Sequence, residues 1–362
     1  MRRALVLGGG GARGAFQVGM LMELVGTQGI DFTILRGVSV GALNAAFLAQ
    51  ASVGNSPQES IANLRAQVEA LEELWTKEIT GNHSIYAERP GGFAGIVAGA
   101  DSLFSVKPLR ALIDKHLSLP ALRHSGRDFA VGTVSLVSGR YEEWTPADDD
   151  FIDKLVASTA IPVVFPFVRV GKDELVDGGV RNITPLGPAF NAKPDELYVL
   201  LTSRIIPGAA GELPDSSVME DDPKKWDDNW LGTKVGGMDV LKRTLDILTD
   251  EIYLDDIRGA LDWNTIAAAI DQVTAAAPPG AKLSTKLRTS IAALDQALKE
   301  VKKRHVPIHV LAPTIWFGSD NSSTEFDPER IKVAIEHGTI VASGGIGPRA
   351  NWCGPGPGGR HR

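Results

Sequence analysis

The chain has 362 residues, 43% of them hydrophobic, with a formal charge of −7 and a single cysteine. That is ample apolar material for a large α/β core, and the acidic balance without any Lys/Arg cluster excludes nucleic acid as a partner, because a phosphate backbone needs a basic footprint. Cys353 alone can build neither an internal disulfide framework nor a cysteine metal site, which fits a reducing, cytoplasmic setting.

Met1-Arg2-Arg3 and the apolar run Ala4 to Leu7 open the chain, but the run stops at Gly8, too short for a signal h-region. It reads instead as an interior strand of a parallel sheet covered on both faces. No stretch reaches the length of a membrane-spanning helix, so any membrane contact is expected to be peripheral. Gly8 to Gly14 follows at once, and Ala15 to Val25 then reads as a helix. The glycines therefore lie at a strand-to-helix junction, where free backbone N–H groups and the positive helix end favour an anion or a developing oxyanion. The same residues match the GxGxxG dinucleotide fingerprint, with Asp31 at about the distance of a ribose-binding acid. Asp31 precedes the second strand rather than ending it, which puts it at the wrong edge of the sheet for that role.

Phe32 to Leu35 is that second strand, and Ala42 to Ala49 is rich in helix formers. Between them lies Gly37-Val38-Ser39-Val40-Gly41, a GxSxG pattern at a sharp strand-to-helix turn. Glycines on either side allow the tight turn and leave the serine hydroxyl exposed at the sheet edge, a layout that suits a nucleophile. The bare pattern arises often by chance, so its companions decide.

Ser56-Pro57-Gln58-Glu59 is a capping box before a helix whose stripe Ile61, Leu64, Val68, Leu71 and Trp75 faces the core. Thr80 to Ser105 reads as a long glycine-rich loop, hence a lid or binding loop. A short helix from Lys107 to Leu117 precedes a strand, Phe129 to Val137, which turns through Ser138-Gly139-Arg140 into an edge strand ending at Trp144. Asp148-Asp149-Asp150 is expected to cap the helix Phe151 to Ser158 rather than to hold a metal. An extended segment, Phe167 to Val170, and Leu175-Val176 then lead to Asp177-Gly178-Gly179, an acid at a tight turn. A strand at Glu196 to Ser203 follows. Helical stretches from Met238 to Ala276 and along Leu283 to Val301, a last strand at His309 to Ala312 and a final helix begun by Asp327-Pro328 complete the chain. Residues 344–362 are too poor in apolar groups to pack and are expected to form a mobile Gly/Pro-rich tail.

Three elements in this order, Gly9-Gly10-Gly11-Ala12-Arg13-Gly14, Gly37-Val38-Ser39-Val40-Gly41 and Asp177-Gly178-Gly179, with Ser158-Thr159-Ala160-Ile161-Pro162 and Pro166 before the last, resemble the patatin-like phospholipase family. The resemblance covers residues 4–205 and the final helix. The stretch from about 207 to 303, which carries none of these motifs, reads as a mostly helical insertion in one domain, residues 1–343, and the resemblance implies a three-layer α/β/α sandwich with a mainly parallel central sheet. It further implies a lipid acyl hydrolase in which Ser39 is the nucleophile, Asp177 its base, and the Gly10 and Gly11 amides the oxyanion hole. Gly9, Arg13, Gly14, Gly37, Gly41, Gly178 and Gly179 support these as motif residues. Lipid or lysolipid esters are the expected partners, with no metal and no organic cofactor; oligomeric state is not legible.

A free aspartate is a poor base at neutral pH, so burial is expected to raise the Asp177 pKa, with the helix dipole and oxyanion site lowering that of Ser39. A Ser-His-Asp triad is the competing mechanism, with His305, His309 and His337 as candidates after Asp177. His305 lies at a basic helix end, His309 in a strand and His337 in the last helix. Transfer of the acyl group to an alcohol other than water is a further alternative, and nucleotide binding at the glycine loop a more distant one. Arg13 reads as a brace for its loop, Asn44 as a tie for the elbow, and Trp226 with Trp230 as a packed pair.

Overall fold

The computed structural model describes residues 1–206, 215–216, 237–275, 285–300, 305–314 and 323–344. β1 (Arg3–Leu7) runs through the glycine loop into α1 (Gly14–Leu21), whose continuation widens to a π turn over Met22–Thr27. β2 (Ile34–Gly37) runs through Ser39 into α2 (Val40–Ala49). α3 (Pro57–Glu73) starts at the expected cap, with Ser56 accepting from Glu59 N at 3.2 Å; the Glu59 carboxylate reaches one residue further back, to Asn55 N at 2.7 Å.

Residues 80–105, expected as an open loop, carry β3 (Ala87–Glu88) and β4 (Phe104–Ser105), paired antiparallel around α4 (Gly92–Val97). α5 (Lys107–His116) and α6 (Leu119–His124) lead to the expected hairpin of β5 (Asp128–Ser135) and β6 (Tyr141–Trp144). α7 (Phe151–Ala157) follows. Asp150 is its N-cap residue but makes no side-chain cap bond, and Asp148 instead accepts from Thr145 N at 2.6 Å, so the acidic run closes the preceding turn rather than the helix.

β7 (Val168–Val170) and β8 (Asp173–Asp177) form a second hairpin, α8 (Leu186–Asn191) precedes β9 (Glu196–Leu200), and β10 (Ile205–Ile206) pairs with β11 (Asp215–Ser216). α9 (Gly237–Ala275) and α10 (Thr285–Glu300) occupy the expected helical stretches, and β12 (Ile308–Leu311) and α11 (Pro328–Ser343) end the described chain. Asp327 caps α11 as expected, accepting from Glu329 N and Arg330 N. Trp226, Trp230 and all of the tail but its first residue lie outside the described residues.

The main sheet has eight strands in the order β12-β9-β1-β2-β5-β8-β7, with β6 also on β5. From β12 to β5 every neighbour is parallel; β6, β7 and β8 add an antiparallel end. Alternation along the interior strands sorts the layers. Leu5 and Leu7 of β1 join the core under α1, α2, α3, α5, α7 and α11, while Ala4 and Val6 join the opposite one with Leu186 of α8 and Ile257, Ala260 and Leu261 of α9. The fold is thus the expected three-layer α/β/α sandwich. α9, expected as part of an insertion, supplies residues to the second core. Among the described residues no helix is long and apolar enough to cross a membrane.

One register detail positions the site. β2 ends at Gly37, opposite Val131 of β5, and two residues further along β5 Thr133 pairs with Asp177 of β8. Thr133 also pairs with Glu142 of β6, so β6 lies on the other side and β8 enters on the side that β2 has left. Parallel β2 departs upward into the Ser39 turn, and antiparallel β8 arrives in the vacated lane with its last residue, Asp177, beside it.

Candidate active site

Ser39 sits at φ 57° and ψ −131°, a conformation that L residues avoid and that costs on the order of 1–3 kcal/mol. The surroundings hold it there. Its amide donates to Ser158 Oγ at 3.1 Å, Ser158 Oγ donates to Gly132 O of β5 at 2.7 Å, and its carbonyl accepts from Ala42 N and Leu43 N in the first turn of α2. Gly41 lets α2 lie directly on β1: a Cβ there would fall well inside van der Waals contact of the Leu7 and Gly8 carbonyls. Ser158 belongs to the Ser-Thr-Ala-Ile-Pro motif, and its part in holding the elbow is a bond from a backbone amide to a side chain 119 residues away, which spacing alone does not reveal.

Asp177 is buried and its carboxylate hydrogen-bonds the Ser39 side chain; Oδ1 also accepts from Gly179 N at 2.7 Å. Burial pushes its pKa up to about 7, against the opposing pull of the Ser39 and Gly179 hydrogen bonds. The structure therefore brings the two expected residues into contact.

The glycine loop runs alongside. A Cβ at Gly9 would stand 3.2 Å from Ser39 Cβ. Gly8, Gly9, Ala12 and Arg13 each donate their amide to a backbone carbonyl, of Leu200, Ile183, Ser323 and Gly10 respectively. The amides of Gly10 and Gly11, both at positive φ, make no such bond among the described residues. Arg13 braces this loop as expected, donating to Ser203 Oγ at 3.1 Å and to Gly10 O at 3.4 Å. Thr202 Oγ1 donates to Gly9 O from the end of β9. Asn44 ties three helices, donating to Gly14 O and Gln17 Oε1 of α1 and accepting from Trp75 Nε1 at 3.1 Å.

Beside Ser39 opens an apolar cavity of about 860 Å³, the open solvent at its mouth included. Val40, Leu43 and Phe47 of α2 line it together with Leu71, Trp75, Leu109 and Ile113, and Phe165, Phe326 and Gly11 are also on its wall. Tyr86, Phe104, Phe165 and Phe326 form one aromatic cluster, and Tyr86 Oη donates to Thr324 O at 2.8 Å. The segment read as a lid thus packs at this cavity through Ile85 and Tyr86.

None of the three candidate histidines reaches the pair. His309 Nε2 lies 2.8 Å from Glu196 Oε1, His337 Nε2 accepts from Thr314 N at 3.1 Å, and His305 is exposed. His116 is the histidine on the cavity wall, where it contacts Phe47 and pairs with Glu78 at 3.0 Å. Phe47 is eight residues along α2 from Ser39, about 12 Å at the rise of a helix, beyond proton-transfer reach. Asp31 pairs with Arg127 at 2.9 Å and accepts from Ser60 Oγ, so the acid that a bound ribose would need is already engaged.

A family model described as patatin-like phospholipase matches residues 5–190. The chain belongs to the patatin-like phospholipase family. The matched residues contain the glycine loop, the Ser39 elbow and the Asp177 turn. Among solved structures the chain is similar to VipD from Legionella pneumophila, at 13% identity and a TM-score of 0.37, over 95% of this chain and 66% of VipD, so it spans just under two thirds of that protein's length. No curated protein matches it by sequence.

One residue beside the glycine loop escaped the sequence reading and lies outside the matched region. Asp256 of α9 accepts from Thr184 N at 3.1 Å and from the Ile183 amide, and the Ile183 carbonyl in turn accepts from Gly9 N. The Ile183 side chain stands against Gly9 and Gly179. A helical carboxylate seventy-two residues from its partner leaves no local signal. Burial raises the Asp256 pKa from 3.8 to about 7. The folded state then keeps a proton that the unfolded chain releases, so stability falls as pH rises from about 4 to about 7 and levels off above. Asp256→Asn is expected to flatten part of that decline, leaving the variant's melting temperature above wild type at pH 8 but not at pH 4, as followed by circular dichroism.

Proposed function

We propose that the chain is a serine-dependent lipid acyl hydrolase acting on phospholipid or lysophospholipid esters through a Ser39 acyl-enzyme. The observation that carries this reading is the hydrogen bond between the Ser39 hydroxyl and the buried Asp177 carboxylate, beside a cavity lined mainly by apolar side chains. In the first step Ser39 Oγ attacks the ester carbonyl carbon while its proton passes to Asp177. The tetrahedral oxyanion is received by the Gly10 and Gly11 amides, a donor set worth about 2.7–4 kcal/mol per group lost. As the intermediate collapses, the bond to the leaving alcohol breaks and Asp177 returns the proton to it. Water then repeats the sequence on the acyl-enzyme and the free fatty acid leaves.

A pKa near 7 suits both halves of this cycle, because Asp177 must take a proton and give it back. Ionised Asp177 is the active form of the free enzyme. On a soluble ester kcat/KM is therefore expected to fall tenfold per pH unit below an apparent pKa near 7, measured from pH 5 to 8.5.

The test of substrate class is product analysis by mass spectrometry on phosphatidylcholine, phosphatidylglycerol and their lyso forms, with and without added glycerol. Free fatty acid from wild type, and none from Ser39→Ala, supports the hydrolase. Acyl glycerol in place of fatty acid would convert the assignment to acyl transfer, and no product from any ester would overturn both.

A further inference from the structure

We propose that the β5–β6 turn, residues 136–140, together with Val180 and Arg181, is the surface by which the protein docks on an anionic lipid layer. Leu136, Val137 and Val180 are 52%, 69% and 47% exposed. Single exposed apolar residues are ordinary on a protein surface, but these form one group. Arg181 Nη1 donates to Gly139 O at 3.3 Å, which holds Val180 and Arg181 against the turn that carries Leu136 and Val137.

Topology points the group the right way. β5 runs parallel to β1 and β2, so its turn leaves the sheet at the same edge as the glycine loop and the Ser39 elbow. The Tyr141 ring, at the start of β6, lies against Gly132 and Gly178, linking the turn to the Asp177 loop. An apolar tip beside the site would enter a lipid interface with Ser39 facing the same surface.

Charge selects the kind of surface. The turn between β7 and β8 is adjacent, since Leu136 N donates to Glu174 O, and it adds Lys172. Among the described residues Arg140, Lys172 and Arg181 have no carboxylate partner, Glu174 is paired with Arg169, and the charge of Asp173, which accepts from the neutral Ser135 hydroxyl, offsets only one of those three cations. In a chain of net charge −7, this is a local cationic rim around exposed aliphatic side chains. Such a rim is matched by lipid phosphates and anionic headgroups, not by an acidic protein surface lacking an apolar layer.

This inference rests on the lipid-hydrolase reading, and binding and catalysis are measured separately so that each can fail alone. Vesicles of phosphatidylglycerol and phosphatidylcholine, and of phosphatidylcholine alone, are sedimented with wild type, Leu136→Ser/Val137→Ser and Arg140→Gln/Arg181→Gln. Hydrolysis of a soluble short-chain ester is followed in parallel. Expected are preferential binding of wild type to the anionic vesicles, a loss on the order of tenfold in each double variant, and soluble-ester rates within about twofold of wild type. Absence of anionic-vesicle binding by wild type, or unchanged binding by both variants, overturns the proposal. A parallel loss of soluble-ester hydrolysis overturns it too, by making the turn a structural support. Vesicle binding without any ester hydrolysis leaves the docking surface standing and removes the hydrolase.

Discussion

Ser39→Ala is expected to lose hydrolysis of a soluble ester by on the order of 10⁴-fold or more, and Asp177→Asn to lose nearly as much. Both act on one proton transfer, so the double variant should be no worse than the more damaged single variant, whereas independent contributions would multiply. Neither change should unfold the protein. Ser39→Ala keeps the amide that bonds Ser158, and Asp177→Asn removes a buried carboxylate whose pKa burial raises to about 7. Between about pH 4 and 7 the folded wild type holds a proton there that the unfolded chain has released, so its stability declines across that window. Asp177→Asn lacks the decline and is expected to melt higher than wild type at pH 8 while being almost inactive. Initial rates together with melting curves at pH 5 and pH 8 check both halves.

Gly11→Ala carries the second large effect. Gly11 stands at φ 56°, and an added Cβ would collide with the Ser323 carbonyl oxygen, which itself receives the Ala12 amide. To admit a methyl group the loop must shift, and with it the Gly10 and Gly11 amides move from where an oxyanion would form. A loss of 10²- to 10³-fold in kcat is expected, with a smaller change in KM, since the donors act mainly on charge that develops in the transition state. Gly29→Ala provides the control. Gly29 is also at positive φ, 67°, but an added Cβ meets nothing within 4 Å, so this substitution should cost about 1–2 kcal/mol of stability and leave kcat unchanged. Equal losses in kcat from the two substitutions would remove the special role of the glycine loop.

Much of this was legible in the chain because the chemistry demands local signals. The sharp strand-to-helix turn at Ser39 brings backbones into near contact, hence Gly37 and Gly41. The loop before α1 turns through positive φ twice, hence Gly10 and Gly11. Apolar runs four residues long marked the interior strands, and Ser56 and Asp327 announced their helices by cap chemistry. What escaped depends on residues distant in sequence. That β8 enters the lane vacated by β2 follows from β5 pairing with both, and no periodicity encodes it. Gly19 of α1 and Gly338 of α11 let two helices touch backbone to backbone, yet each reads alone as an indifferent helical glycine. Asp256 is one acid among several on α9, and only docking of that helix gives it Thr184 and Ile183 as donors. Asp148 and Asp150 misled in the opposite direction: the nearby Thr145 amide and hydroxyl took Asp148 before the helix could.

Intact-mass labelling with a fluorophosphonate, which forms a covalent adduct with an activated serine hydroxyl, tests the Ser39–Asp177 pair most directly. Wild type at pH 8 should gain a single adduct that peptide mapping places on Ser39. Ser39→Ala should gain none and Asp177→Asn should react far more slowly. A wild type that stays unlabelled, or an adduct on another serine that persists in Ser39→Ala, would contradict the acyl-enzyme mechanism.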